Sequence, residues 1–325
     1  MIKSRVLRSG LRRTLPQRTH PLGAVQHGSL QRNQSEVTAT INQFINISCA
    51  TATIKSLTVR QQYRDVRLRP QLHLTLQSGP GSLKSTILEE VALTHQVTPY
   101  SYVTYAAMIG SIDAITGEPI QGLVWQTRNK PLLLDEFRTG ERGDTGSIDV
   151  LLGVLETGLY KRKVSQRTHP FDDQDGDLYY RVKDGEIEVK TRFPCIIATM
   201  KDLDKVRSDK FRALAQRCII LKFTLTPDEL DGILQGQPFY TYKTYDVDDE
   251  TTISKRDYQH ILDVTKKFRA NHSSFQSVYA RAVGDLCRMT AVLGDIDEKL
   301  CLLVCHLKLG YRVGQALTLT QRTDE

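Results

Sequence analysis

An α/β fold with a parallel sheet and a phosphate-binding loop, followed by a smaller helical region, is what this sequence predicts. Three observations carry that expectation. The apolar, alternating run Leu72–Leu76 leads into Ser78-Gly79-Pro80-Gly81-Ser82-Leu83-Lys84-Ser85-Thr86, and that stretch opens onto Ile87–Leu93, which has helical periodicity. Strand, small-residue loop, Lys-Ser and helix form the layout of a phosphate loop. About 50 residues later a second apolar run, Pro131-Leu132-Leu133-Leu134, ends in Asp135-Glu136-Phe137. Two carboxylates at the end of a buried strand lie where ligands bind in open parallel sheets. From Thr226-Pro227-Asp228-Glu229 onward the pattern turns helical to about residue 310, starting with a capping box and proline at the first helical position.

Composition sets the frame. The chain has 325 residues, 40% hydrophobic and 25% charged, the balance of a globular protein. No window holds 18 consecutive apolar residues, so no transmembrane helix is expected. The formal charge of +7 suits a polyanionic partner. Six cysteines (Cys49, Cys195, Cys218, Cys287, Cys301, Cys305) are scattered without a CxxC pair. Cys301, Cys305 and His306 have a spacing that could hold a metal; buried small apolar residues in a reducing, intracellular compartment are the expectation.

Each element then follows in order. Residues 1–33 are Arg-rich and acid-free, with no apolar segment, and read as a disordered basic arm or an organelle transit peptide. Glu36–Ser48 reads as a short amphipathic helix, and Arg60–Arg69 as a basic patch before the loop. In the loop, backbone N–H groups and the following helix N-terminus suit phosphate oxygens, Lys84 supplies a point charge, and the Ser85 hydroxyl suits Mg²⁺. Ser78 and Leu83 stand where the two glycines of the general motif belong. Tyr102–Tyr105 reads as a strand, Asp113–Ile120 as a small hairpin, and Ile148–Leu159 as a helix. The polar 161–180 stretch, with Asp172, Asp173, Asp175 and Asp177, reads as a solvated insertion, without the ligand spacing of a calcium loop. Leu178–Phe193 reads as a hairpin turning at Asp184-Gly185, with Lys183 at its tip and Arg181, Lys190 and Arg192 alongside. Cys195–Met200 reads as a buried strand ending at Lys201. A helix closing on Ala213–Cys218 and a strand Ile219–Phe223 complete the domain, and Asp231–Thr252 reads as a looser aromatic connection.

That order of motifs resembles AAA+ ATPases and, within them, the minichromosome-maintenance helicases. This family spells its loop Gly-Asp-Pro-Gly-x-x-Lys-Ser, with no glycine before the lysine, as Gly79-Pro80-Gly81-Ser82-Leu83-Lys84-Ser85 does. It has Asp-Glu-Phe after the strand, a Thr-Gly-Glu hairpin before it (Thr116-Gly117-Glu118 here), and a Lys-x-Gly hairpin tip (Lys183-Asp184-Gly185 here). Its sensor-1 strand usually ends in Asn, whereas Lys201 holds that place with Thr199 two residues earlier. Arg217, or alternatively Arg212, matches the arginine finger. Arg281-Ala282-Val283-Gly284-Asp285-Leu286-Cys287-Arg288 resembles the sensor-2 helix, with Arg281 as its phosphate contact.

The resemblance spans about residues 60–310. It implies a AAA+ core at 34–225 with an αβα layering and a helical lid at 226–325. ATP would bind at Gly79–Thr86, Asp135 and Arg281, with Mg²⁺ at Ser85 and Asp135. Glu136, Lys84, Arg217, Thr199 and Lys201 would carry catalysis. Subunits would form a ring, expected as a hexamer, around DNA held without sequence preference by Lys183, Arg181 and Lys190 at a replication site. The competing expectation is a loader or MoxR-type remodelling ATPase acting on a protein, with a catalytically weak nucleotide-dependent scaffold as a third.

Overall fold

The computed structural model describes residues 36–101, 103–136, 146–164, 168–200 and 208–321. The expectations for residues 1–33, Tyr102, Phe137 and Lys201 lie outside the described residues. Among those described, the protein is a mixed α/β chain with a five-stranded, all-parallel sheet. Across the sheet the strands run Ile219–Lys222, Leu74–Gln77, Cys195–Thr199, Leu132–Asp135, Pro99–Ser101.

Four of the five strands are short, apolar and largely buried on both faces, the signature of a parallel sheet covered twice, while the edge strand Pro99–Ser101 is partly exposed. Side-chain alternation sends successive residues to opposite cores. Leu133, Ile196, Ala198, Ile219 and Leu221 join Ile87, Leu88 and Val91 of the Lys84–His95 helix on one face. Leu132, Leu134, Cys195, Ile197 and Ile220 join Ile148, Leu151 and Val154 of the Gly146–Thr157 helix, and Phe211 and Leu214 of the Asp209–Arg217 helix, on the other.

The topology decides where a ligand can enter. From Leu74–Gln77 the chain crosses to the far strand Pro99–Ser101 and then steps back through Leu132–Asp135 to Cys195–Thr199. From there it skips the Leu74 strand to reach Ile219–Lys222. The strands Leu74–Gln77 and Cys195–Thr199 are neighbours whose outgoing connections run in opposite directions. Such a switch point opens a crevice at the carboxyl ends of the strands.

A four-stranded antiparallel sheet extends one side, in the order Leu159–Lys163, Glu186–Lys190, Leu178–Lys183, Phe171–Asp175. The central pair turns at Asp184 and Gly185, with φ 53° and 74°, the backbone that Asp-Gly favours in tight hairpins. This corrects the expected solvated insertion at 161–180. Asp173 accepts from Gln121 Nε2 and Trp125 Nε1 (2.6 and 3.0 Å), and Asp175 accepts from Arg128 Nε (3.0 Å), so these aspartates cross-link the sheet. The expected strand at Tyr102–Tyr105 sits earlier, at Pro99–Ser101. Thr104 instead caps a short helix, Tyr105–Ile109, by accepting from Ala107 N.

The helical region begins with the capping box Thr226/Glu229. It continues through helices Pro227–Leu234, Lys255–Asn271, Tyr279–Leu293, Glu298–Lys308 and Val313–Gln321. Residues Ser35–Glu325 form one compact unit. The core on one sheet face runs on through Leu286, Cys301 and Val304 without a break near 225. The connection before Thr252 is less loose than expected, for two reasons. Glu250–Ile253 pairs in parallel with Ser56–Val59. The extended Phe239–Lys243 segment is also pinned by two buried asparagines of the Glu36–Ala50 helix. Asn42 binds Phe239 O and Thr241 N, and Asn46 binds Thr241 O and Lys243 N, each at 2.7–3.0 Å. All six cysteines are buried and free, and no group of three metal-ligating side chains lies among the described residues. No helix among them is long and apolar enough to cross a membrane.

Candidate active site

The loop Ser78–Leu83 leaves the Leu74–Gln77 strand at the switch point and enters the Lys84–His95 helix. Ser78 has a structural reason to replace glycine: its hydroxyl donates to Phe223 O (2.8 Å) and its N–H to Thr199 O (3.4 Å). The loop's origin is thereby tied to both neighbouring strands. Gly81 sits at φ 73° and Leu83 at φ 55°. Glycine adopts this left-handed backbone freely, but a leucine there is strained. Leu83 therefore keeps the loop's conformation without the residue that would make it easy.

Lys84 is buried and curls back into its own loop. Its Nζ donates to Ser78 O (2.9 Å), Gly79 O (2.8 Å) and Ser82 Oγ (2.9 Å). Burial pulls the ammonium below the ordinary lysine range, while Asp135 and Glu136 act in the opposite direction. The two carboxylates thus reach Lys84 electrostatically across one intervening strand.

That intervening strand is Cys195–Thr199. Thr199 lies level with Gln77, and Ile197 with Leu134, so the buried Thr199 stands between the loop and Glu136. Two strand spacings, about 10 Å, separate the loop strand from the acidic strand. Glu136 itself is held at φ 42°, with its N–H on Asp135 Oδ1 (2.9 Å). Two non-glycine residues with strained backbone, Leu83 and Glu136, therefore flank one crevice, a clustering common at functional sites.

These residues fit a nucleotide phosphate chain. The Lys84–His95 helix has no side-chain cap at its N-terminus, so its first N–H groups remain available to an anion. A side chain added at Gly79 or Gly81 would meet nothing within 4 Å, so open space lies beside the loop. Ser85 is exposed in the first helical turn, and the buried Gln77 Oε1 has no hydrogen-bond partner among the described residues. A hydroxyl from Ser85 and a carboxylate from Asp135 are hard oxygen donors suited to Mg²⁺.

The structure does not bring Arg217 or Arg281 to this loop. Arg217 ends its helix just before Ile219, which is paired with Leu74 at the amino end of the loop strand. Arg217 and His73 line the same cavity, of about 330 Å³, together with Glu156, Arg281, Asp285 and Arg288. Five residues of extended chain, about 16 Å, separate His73 from Ser78. Arg217 Nε lies 2.8 Å from Glu156 Oε2, and Arg281 Nη1 lies 3.2 Å from the same oxygen. Arg212, the alternative finger, pairs with Asp209 on its own exposed helix face. Behind the cavity, Asp285 bridges Arg288 and Lys308 (2.6 Å each), and Lys308 also donates to Gln216 O and Cys218 O.

The hairpin cations divide. Arg181 pairs with Asp172 (3.2 Å) and lies over the Tyr179 ring, and Lys190 pairs with Asp177 (3.3 Å). Lys183 has no ion pair among the described residues. Neither does Lys163, which is in register with Glu186 beside the tip. Sequence reasoning missed Lys163 and Glu156. The Lys161-Arg162-Lys163 run was a signal for the first; nothing local signalled the second. No protein-family model and no curated protein matches the chain.

Proposed function

We propose that the chain is an ATP-hydrolysing motor of the AAA+ kind, resembling the minichromosome-maintenance helicases, in which residues 226–325 act as the lid over residues 34–225. One observation carries the reading. A buried lysine, wrapped by the carbonyls of a small-residue loop, faces an Asp-Glu pair across the switch point of a parallel sheet.

The roles follow from chemistry. With ATP as substrate, Lys84 turns from the loop carbonyls to the β- and γ-phosphates, exchanging neutral partners for charged ones. Loop and helix N–H groups hold the phosphate oxygens. Ser85 and Asp135 would hold Mg²⁺, which when bound neutralises charge on the phosphates. Glu136 accepts a proton as water attacks the γ-phosphorus and the bond to the β–γ bridging oxygen breaks. Thr199, between loop and base, orients the water. Arg217 and Arg281, at the opposite end of the strands, serve the phosphate of a neighbouring subunit in a ring. An arginine supplied in trans can contribute about 10³–10⁵ in rate. Lys183, without an ion pair among the described residues, and Lys163 beside it contact DNA phosphates, which position the strand without reading sequence.

A loader or remodelling ATPase is favoured by a different observation: Arg181 and Lys190 are already paired with aspartates, which leaves the sheet a weaker DNA face. Steady-state ATPase of size-fractionated protein, with and without single-stranded DNA, separates the two. The motor reading expects turnover in an assembled fraction, stimulation by DNA, and loss on Lys84→Ala. Turnover unaffected by Lys84→Ala would overturn the site; turnover indifferent to DNA would transfer the assignment to the remodelling class.

A further inference from the structure

We propose that Glu156 is the positioning residue of the arginine cavity: its carboxylate yokes Arg217 to Arg281, so that both guanidiniums meet a terminal phosphate carried by a second copy of this chain. The proposal rests on the ATPase reading above and goes beyond it by naming the residue that assembles the trans half of the site.

The geometry is specific. One oxygen, Oε2, serves both arginines, at 2.8 Å from Arg217 Nε and 3.2 Å from Arg281 Nη1. The three residues come from three helices, Gly146–Thr157, Asp209–Arg217 and Tyr279–Leu293. The last of these belongs to the lid-like region, so the carboxylate joins that region to the sheet. Its location is otherwise unfavourable. Glu156 lies in the last turn of its helix, where the dipole favours cations, and that turn has no basic residue. The two arginines resolve this. Burial alone would raise the Glu156 carboxyl, yet Arg281 and Arg217 outweigh it and hold the group below the ordinary carboxylate range.

The arrangement leaves capacity for an incoming anion. Arg217 is ion-paired to Glu156 through Nε and gives one Nη1 hydrogen to Ala213 O (2.9 Å), so most of the five N–H donors of its guanidinium remain for an incoming anion. Two guanidiniums against one carboxylate leave one net positive charge. Arg288, at the cavity's rear, pairs with Asp285, which it shares with Lys308. Without Glu156 the two arginines would repel, since each disfavours the other's charge. The side chains of Arg281 and Glu156 are 34% and 46% exposed, so a partner subunit can reach them.

The test uses the full-length chain and its ATPase. Glu156→Ala is expected to lower kcat about 10- to 100-fold, the scale of a small misplacement of catalytic groups. KM for ATP should stay within about twofold, because the chain's own loop is intact. Glu156→Gln, which keeps a neutral acceptor oxygen, should recover most of the loss. The decisive step mixes Glu156→Ala with Lys84→Ala chains before assembly. The first supplies an intact loop and the second an intact arginine cavity, so equal mixing should restore roughly a quarter of the wild-type rate in a head-to-tail ring. An unchanged kcat, or a loss that mixing does not restore, overturns the Glu156 assignment while the wild type still hydrolyses ATP. A wild type without turnover removes the ATPase reading and this proposal together.

Discussion

The two ends of the parallel sheet solve the same problem, a concentration of cations, in opposite ways. At the carboxyl end Lys84 is satisfied by neutral partners from its own loop, all within six residues of it. At the amino end Arg217, Arg281, Arg288 and Lys308 are satisfied by two carboxylates, Glu156 from the Gly146–Thr157 helix and Asp285 from the Tyr279–Leu293 helix. Neutral carbonyls are partners that a phosphate can outcompete, so under the proposed function Lys84 changes partners locally. Each carboxylate ties its helix to another, Glu156 to those of Arg217 and Arg281 and Asp285 to that of Lys308, and of the two only Glu156 is partly exposed. The amino end therefore combines a fixed tie, Asp285, with an adjustable one, Glu156. The lesson is that a charge network can be structural and functional in adjacent halves, with burial deciding which.

The sharpest way to break this contrast is to remove each carboxylate in turn. Asp285 is 3% exposed and holds two cations, so Asp285→Ala strands Arg288 and Lys308 in the interior. Loss of one partner from a buried pair costs about 3–5 kcal/mol, read as a fall in the urea midpoint. Glu156→Ala, at a partly exposed pair, should cost under about 1 kcal/mol in the same measurement. Equal losses would erase the distinction between the ties. Next in size comes Arg217→Ala. It should reduce kcat about 10³-fold, equivalent to about 4 kcal/mol of transition-state stabilisation, with ATP affinity retained. A parallel collapse of ATP affinity would place Arg217 at its own loop instead.

The same contrast explains what the sequence could show. The Ser78–Leu83 loop, the Asp135-Glu136 strand end, the Asp184-Gly185 turn and the Thr226 capping box are each contiguous, so local chemistry exposes them. The paired strands Ser56–Arg60 and Glu250–Ile253 meet across about 190 residues, and neither has a local mark of its partner. Asn42 and Asn46 read as ordinary polar helix positions, yet they face an extended segment and complete its hydrogen bonds. Phe171–Asp175 looked solvated because its aspartates point to cross-links made only after the sheet forms. Glu156 was invisible for the same reason: its partners lie 61 and 125 residues away.

A smaller effect tests whether pairing also silences cations on the antiparallel sheet. Lys183→Ala should lower the salt slope of single-stranded DNA binding by about 0.7, one phosphate contact, and adding Lys163→Ala should double that change. Arg181→Ala should alter it less, because Asp172 already holds the guanidinium. A larger change at Arg181 than at Lys183 would move the DNA path from the hairpin tip to the sheet face.

The smallest expected effect addresses the carboxyl end directly. Leu83 holds φ 55° at the junction of loop and helix. A left-handed backbone costs a leucine about 1–2 kcal/mol, whereas glycine adopts it freely but loses about 0.5–1 kcal/mol of entropy on folding. Leu83→Gly should therefore shift stability by about 0–1.5 kcal/mol toward the folded state, with ATP affinity preserved. Lys84 would keep its contacts, since these run to Ser78, Gly79 and Ser82 rather than to Leu83. A destabilisation above about 1 kcal/mol would mean that the half-buried Leu83 side chain, not the loop's backbone, sets the helix entrance. In that event the carboxyl end would depend on side-chain packing as much as the amino end does, and the contrast between them would narrow to charge alone.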